Sequence, residues 1–127
     1  MLKVFYNFLI NFFYIPYSII IFYRKIYSKE HKTKFKDKIL FKKIDRPQGF
    51  LFWFHAASIG ELNSVLPIVD FFLKKDKNYN FLITTVTMSS YNLFKKKYGS
   101  KNRVYHQFLP YDSNILVENF LKNWRPN

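Results

Sequence analysis

Twenty consecutive residues without a formal charge, Val4 to Tyr23 in "VFYNFLINFFYIPYSIIIFY", constrain this chain more than any other feature. As an α-helix rising 1.5 Å per residue they would cover roughly 30 Å, the thickness of a bilayer's hydrocarbon core. Asn7, Asn11 and Pro16 work against this, since amides are costly in hydrocarbon and proline lacks a backbone donor, but kinked membrane helices tolerate both. Residues 1–23 therefore read as a membrane-anchor helix, single-pass or deeply embedded. A cleaved signal peptide fits less well, because the run is long and no small-residue cleavage site follows it.

Basic residues follow instead. Arg24 to Lys43 holds nine Lys or Arg against Glu30 and Asp37, so the positive-inside rule assigns everything after the anchor to the cytoplasm. Residues 24–49 read as a basic juxtamembrane linker, either solvated or held on an anionic membrane surface at about 1 kcal/mol per basic residue. The whole chain carries a formal charge of +13, which raises the question of nucleic acid. Yet lysine outnumbers arginine 17 to 4 among residues rich in Asn, Ile, Phe and Tyr, a mix that AT-rich codon usage yields without any partner. The charge also clusters beside the apolar run, so membrane is the expectation and nucleic acid is not. The absence of cysteine excludes disulfides, thiolate metal sites and a catalytic thiol.

From Phe50 the pattern alternates. "FLFWFH" is a continuous apolar run of the kind buried on both faces of a parallel sheet. Leu62, Val65, Leu66, Val69, Phe72 and Leu73 then mark one face of a helix. "FLITTVT", Phe81 to Thr87, supplies a second strand; Tyr91, Phe94 and Tyr98 mark a second helix, with Gly99 as its expected C′ residue. "RVYHQFLP" supplies a third strand, and Asp112 stands as an N-cap before a third helix through Ile115, Leu116, Phe120 and Trp124. Such alternation predicts an α/β layered sheet of parallel strands joined by right-handed crossovers. Ligands of such sheets bind beyond the carboxyl ends of the strands, here His55 to Glu61, Thr85 to Ser90, and Pro110 to Asp112.

Ser58-Ile-Gly-Glu61 fits the capping box, in which the serine accepts from the N3 amide and the glutamate reaches back to the N-cap amide. Pro67 opposes it, because an unbroken helix from Ile59 would forfeit a hydrogen bond to Asn63 at a cost of about 3 kcal/mol. A break near Asn63 or Ser64 would leave Glu61 in a short turn, freer to face a ligand as a general base. Gly60 would let a ligand approach the backbone closely. On the residues alone, cap and base both stay open. His55 reads as an edge histidine or a second polar group of a site; Thr84, Thr85 and Thr87 read as strand residues, and Tyr111 as part of a turn. No two histidines share a metal-ligand spacing and nothing resembles a GxGxxG or Walker loop, so no metal and no cofactor is expected.

"FWFHAASIGEL", "FLITTVTMSS" and "FLPYD" followed by "VENFLKNWRP", in this order behind an apolar anchor and a basic linker, resemble the N-terminal part of the 3-deoxy-D-manno-octulosonic acid (Kdo) transferases. The resemblance covers Phe50 to Pro126. It implies a partial Rossmann-like N-terminal domain, residues 50–127, of a GT-B glycosyltransferase that transfers Kdo from CMP-Kdo to a lipid A precursor (lipid IVA). It further implies the cytoplasmic face of a bacterial inner membrane, no metal at the catalytic centre, and inversion at the anomeric carbon. The family's catalytic base falls on Glu61, with Ser58 and Gly60 as substrate-binding neighbours. "MSSYN" lacks the glycine common in the family after the Thr-Thr-x-Thr string. The acidic strand motif and the nucleotide-binding domain expected after "NWRPN" do not follow, so the chain reads as a fragment expected to be inactive alone. The alternatives are a related GT-B transferase with a different lipid-linked acceptor, and a membrane-tethered α/β binding module in which Glu61 only caps a helix.

Overall fold

The computed structural model describes all residues, 1–127. The chain divides into two compact units, Met1–Ile44 with Pro110–Asn123, and Asp45–Leu109 with Trp124–Asn127.

The second unit is a three-stranded parallel sheet in the order β1 (Phe50–Ala56), β2 (Tyr79–Thr85), β3 (Val104–Phe108). Phe50 pairs with Tyr79 and Ala56 with Thr85; Phe81 pairs with Val104 and Thr85 with Phe108. Helices α2 (Ile59–Lys75) and α3 (Met88–Tyr98) connect the strands. Alternate residues of all three strands face these helices, and Ala56, Phe81, Ile83, Val104 and Phe108 meet Leu62, Leu66, Val69, Phe94 and Tyr98 in one buried core. The central strand β2 is buried from Asn80 to Thr85. β1 is not buried on both faces as its apolar run suggests: it is an edge strand, with Phe50, Trp53 and His55 exposed.

Three local features depart from the sequence reading. α2 runs unbroken through Pro67, because Asn63 and Pro67 are both exposed and the carbonyl that loses its partner faces water rather than the core. Gly99 caps α3 in the right-handed region, φ −58°, rather than as a left-handed C′ residue. β2 stops at Thr85, and Thr87 instead becomes the N-cap of α3, its hydroxyl accepting from the Ser90 amide at 3.3 Å.

Two polar devices tie this unit together. Asp70 on α2 bridges α3, with Oδ2 2.6 Å from Lys97 Nζ and Oδ1 accepting from the Tyr98 hydroxyl at 2.8 Å. Burial acts to raise the Asp70 carboxyl, but the hydrogen bonds from Lys97 and Tyr98 outweigh it and hold the group below its ordinary value. At the other end, Asn127 pairs with β1: its amide donates to the Leu51 carbonyl at 3.0 Å, and its Oδ1 accepts from the Leu51 amide at 2.9 Å. Trp124 Nε1 donates to Gln107 Oε1 on β3 at 2.6 Å.

The first unit holds α1 (Leu2–Ile26), a short 3-10 helix over Lys34–Lys38, and α4 (Asn114–Trp124) up to Asn123. By length and composition α1 could cross a membrane. The basic stretch after it is folded rather than extended: Phe35 and Ile39 bury against Ile21 and Tyr17 of α1. Buried Glu30 accepts from Arg24 Nε at 3.0 Å and Lys38 Nζ at 2.7 Å, and Asp37 accepts from Lys42 Nζ at 3.1 Å. Ser113, not Asp112, caps α4, its Oγ accepting from the Leu116 amide at 3.4 Å. Asp112 instead accepts from the Tyr6 hydroxyl of α1.

Candidate functional site

The site builds up where β1 ends and α2 begins. Ala56 closes the strand, residues 57 and 58 form the turn, and the helix starts at Ile59. Ser58 is extended, φ −126° and ψ 165°, and its Oγ accepts from the Glu61 amide at 3.2 Å. Glu61 answers by accepting through Oε2 from the Ala57 amide at 2.8 Å. This is a capping box displaced by one residue, since the carboxylate reaches the amide before the N-cap.

The expected choice between cap and base therefore does not arise as posed. The unbroken helix does not release Glu61 into a turn; the carboxylate is fixed by one oxygen. Its other oxygen, Oε1, has no partner in the protein, and the residue is exposed. An anchored carboxylate with one free oxygen, at a helix N-terminus where anions are favoured, can accept a proton from a bound hydroxyl.

Gly60 occupies the second position of α2. A Cβ built there would meet only Ser58 Oγ, at 3.8 Å, so no protein contact forbids a side chain. Helical alanine is favoured over glycine by about 1 kcal/mol, and the protein's own packing gives no return for that cost.

The neighbouring strand ends in the same arrangement. β2 finishes at Thr85, and Thr87 caps α3, its hydroxyl 3.1 Å from Ser89 Oγ and 2.9 Å from Ser90 Oγ. The structure thus brings two adjacent capped helix N-termini, at Ser58 and Thr87, to the carboxyl edge of paired parallel strands. Such termini present backbone N–H groups suited to anions.

His55 lies on the sheet face opposite α2 and α3, with its Nδ1 3.0 Å from Thr84 Oγ1, which also accepts from Trp53 Nε1 at 3.0 Å. Thr85 points to the other face and meets His106 Nε2 at 2.9 Å in the buried core. Thr84 and Thr85 therefore fasten strands, and neither hydroxyl reaches the Glu61 turn. Tyr111 and Asp112, read from sequence as turn and cap, belong to the first unit and bind α1. No group of three or more His, Cys, Asp or Glu side chains is gathered that could hold a metal ion.

The likeness of this chain to known proteins extends across the turn. The family model described as "3-Deoxy-D-manno-octulosonic-acid transferase (kdotransferase)" matches residues 13–127. A 3-deoxy-D-manno-octulosonic acid transferase of Rickettsia bellii is 34% identical over 128 aligned residues, covering 100% of this chain and 30% of that protein. A probable mitochondrial 3-deoxy-D-manno-octulosonic acid transferase of Arabidopsis thaliana is 31% identical over 105 residues, 83% of this chain and 23% of its own length. The Rickettsia felis transferase is 40% identical over 77 residues, 61% of this chain and 16% of its own. No solved structure matches. The chain spans less than a third of these relatives, and by the family match over nearly all of its own length it belongs to the 3-deoxy-D-manno-octulosonic acid transferase family.

Proposed function

We propose that this chain is the acceptor-side portion of a glycosyltransferase of lipopolysaccharide synthesis, transferring Kdo from CMP-Kdo to a lipid A precursor, lipid IVA, with Glu61 as general base. The observation that carries this reading is the Glu61 carboxylate, anchored through Oε2 to Ala57 and open at Oε1. In this reading Oε1 takes the proton from the acceptor's primary hydroxyl as that oxygen attacks the anomeric carbon and CMP leaves, inverting the configuration. The hydroxyl would lie within hydrogen-bond reach of Oε1, a geometry for which general-base catalysis contributes about 10²–10⁴ in rate. Gly60 leaves room for the acceptor sugar, and Ser58 holds the turn. The N-termini of α2 and α3 favour the acceptor's or donor's phosphate charge.

The sheet belongs, in this proposal, to a Rossmann-like N-terminal domain of a GT-B enzyme, with α1 and its basic neighbours on the cytoplasmic face of the inner membrane. CMP-Kdo binding is assigned to sequence that the relatives carry beyond the matched region. The two capping bonds, Glu61 amide to Ser58 Oγ and Ala57 amide to Glu61 Oε2, favour a second reading, a membrane-tethered binding module in which Glu61 is only structural.

Glu61→Gln separates the two, because glutamine keeps the capping geometry and loses basicity. The variant is made in a chimera joining residues 1–127 to the remainder of the Rickettsia bellii transferase. Transfer from CMP-Kdo falling by about 10² or more with unchanged thermal stability supports the base. Transfer at the unsubstituted rate overturns it in favour of the module.

A further inference from the structure

Hydropathy alone cannot distinguish a helix that crosses a membrane from one that lies along it, but the partners of α1 can. Six positions spaced by three or four residues are engaged along one side of the helix. The Tyr6 hydroxyl donates to Asp112, the Ile10 carbonyl accepts from the Tyr111 hydroxyl at 2.9 Å, and the Tyr14 hydroxyl donates to the Ile39 carbonyl. Tyr17 stacks on Tyr111 at 4.5 Å, Ile21 packs with Phe35 and Ile39, and Arg24 pairs with Glu30 at 3.0 Å. From Tyr6 to Arg24 this stripe covers about 27 Å of helix at 1.5 Å per residue, nearly the depth of a hydrocarbon core.

What lies along that stripe is irregular, charged chain. The Tyr111 amide donates to the Lys38 carbonyl at 2.8 Å beside the middle of the helix, with Asp112 towards one end and Glu30 towards the other. Were α1 to cross a bilayer, this backbone and these carboxylates would be distributed through every depth of it. Non-helical backbone exposed to lipid does not occur there, and one charged end would have to emerge on the far side.

The opposite side is prepared for lipid. Phe5, Phe8, Phe12, Ile15, Ile19 and Phe22 form a second stripe, centred roughly 180° from the first at about 100° per residue. All six are exposed, Phe8 and Phe12 at 64% and 63%. Exposed Lys29, Lys32 and Lys36 follow the helix in sequence, so cationic groups adjoin the apolar helix along the chain, a combination found in helices that lie in a membrane interface.

We infer that α1 is a monotopic helix lying in the plane of one leaflet, its Phe and Ile stripe among the acyl chains and its Tyr stripe holding the folded remainder of the first unit at the headgroups. The occupant of the exposed stripe is the lipid bilayer, with anionic lipid matching the lysines. The inference rests on the proposed membrane location and narrows it from an anchor of either kind to an in-plane one. Both ends of the helix then face the same compartment.

The chain has no cysteine, so Lys3→Cys and Lys29→Cys each introduce a single thiol at an exposed position on either side of the stripe. Each 127-residue variant is produced in a bacterium, and a membrane-impermeant maleimide is added to intact spheroplasts and to inverted inner-membrane vesicles. In-plane insertion gives labelling of both variants in inverted vesicles and of neither in spheroplasts. Labelling of Lys3→Cys from outside with Lys29→Cys from inside overturns the in-plane inference and leaves membrane attachment standing. Recovery of the chain in the soluble fraction overturns both.

Nitroxides at Phe5→Cys, Phe12→Cys and Ile19→Cys, in vesicles of phosphatidylethanolamine and phosphatidylglycerol, give an independent reading of depth. Equal immersion at the three positions supports the in-plane helix, and a profile deepest at Phe12→Cys overturns it.

Discussion

Tyr111 lies against Tyr17, ring centroids 4.5 Å apart and planes inclined by 29°, while its hydroxyl reaches the backbone of α1 at Ile10. One side chain thus supplies both an aromatic and a polar hold on the helix. Tyr111→Phe should cost about 1 kcal/mol through the lost hydrogen bond, and Tyr111→Ala about 2–3 kcal/mol through the lost stack as well. Thermal unfolding in detergent ranks the two, and amide exchange in residues 111–113 should accelerate in the same order.

Ser58→Ala removes the acceptor for the Glu61 amide. It should destabilise by about 1 kcal/mol, the usual worth of an N-cap, and lower the unfolding midpoint by a few degrees. Because Glu61 keeps its bond to Ala57, any transfer activity of the chimera should fall by less than it does in Glu61→Gln.

Pro67→Ala restores the amide that can donate to the Asn63 carbonyl within α2. Since the helix already passes through this position unbroken, the substitution should stabilise by about 1–3 kcal/mol. A chemical-denaturation midpoint that fails to rise would contradict this account of the proline.

The Asp70–Tyr98 pair carries a pH signature of two signs. Burial, and then the neighbouring Asp70 carboxylate, hold the Tyr98 hydroxyl well above its ordinary 10.0. Its folded form therefore retains the proton more tightly than the unfolded chain, and the stabilisation it lends is complete below pH 10 and lost as pH climbs beyond. Asp70 is shifted down from 3.8, so its share is present above that value and lost as pH falls through the lower folded one. The stability difference between the native chain and Tyr98→Phe should stay level from about pH 5 to 9 and shrink above 10, and that for Asp70→Asn should vanish in strong acid. Denaturation curves across pH test both.

Lys38→Met leaves the buried Glu30 carboxylate with Arg24 alone. Breaking a buried pair from one side costs about 3–5 kcal/mol, and Glu30→Gln added to Lys38→Met should recover a large part of it. A double variant as unstable as the single one would mean that lost packing, not an uncompensated charge, is responsible.

The alternation of strands and helices was legible because each element shows a period that its own residues enforce: Leu62, Leu66 and Val69 on one side of α2, and the β-branched run in β2. Element ends were less so. Thr87 has the propensity of a strand residue, yet it caps α3, because the serines beyond it offer amides that need an acceptor. Asp112 has the chemistry of a cap, but its carboxylate is taken by the Tyr6 hydroxyl, more than a hundred residues away, and Ser113 accepts from the helix instead. Residues 24–49 read as a basic linker, solvated or held on a membrane surface, because charge dominates them, whereas Phe35 and Ile39 find their core only when α1 lies beside them. Around Glu61 the motif was visible as a string, but the anchoring of one carboxylate oxygen with the other left open was not, since it depends on which oxygen meets the Ala57 amide.

The pairing of Leu51 with Asn127 sets an order of events for the chain during synthesis. Each strand of the sheet can find its neighbour soon after emergence, since β1 to β2 and β2 to β3 are sequential crossovers of moderate length, and contacts close in sequence form early. The free side of β1 must wait until residue 127 has left the ribosome, and Gln107 must wait for Trp124. Throughout that interval β1 offers unpaired backbone to any other strand within reach. A nascent chain stalled before Trp124 therefore carries three strands already in register while Leu51 of its β1 edge is without the partner that Asn127 supplies, a stage at which unpaired strand edges favour association with other chains.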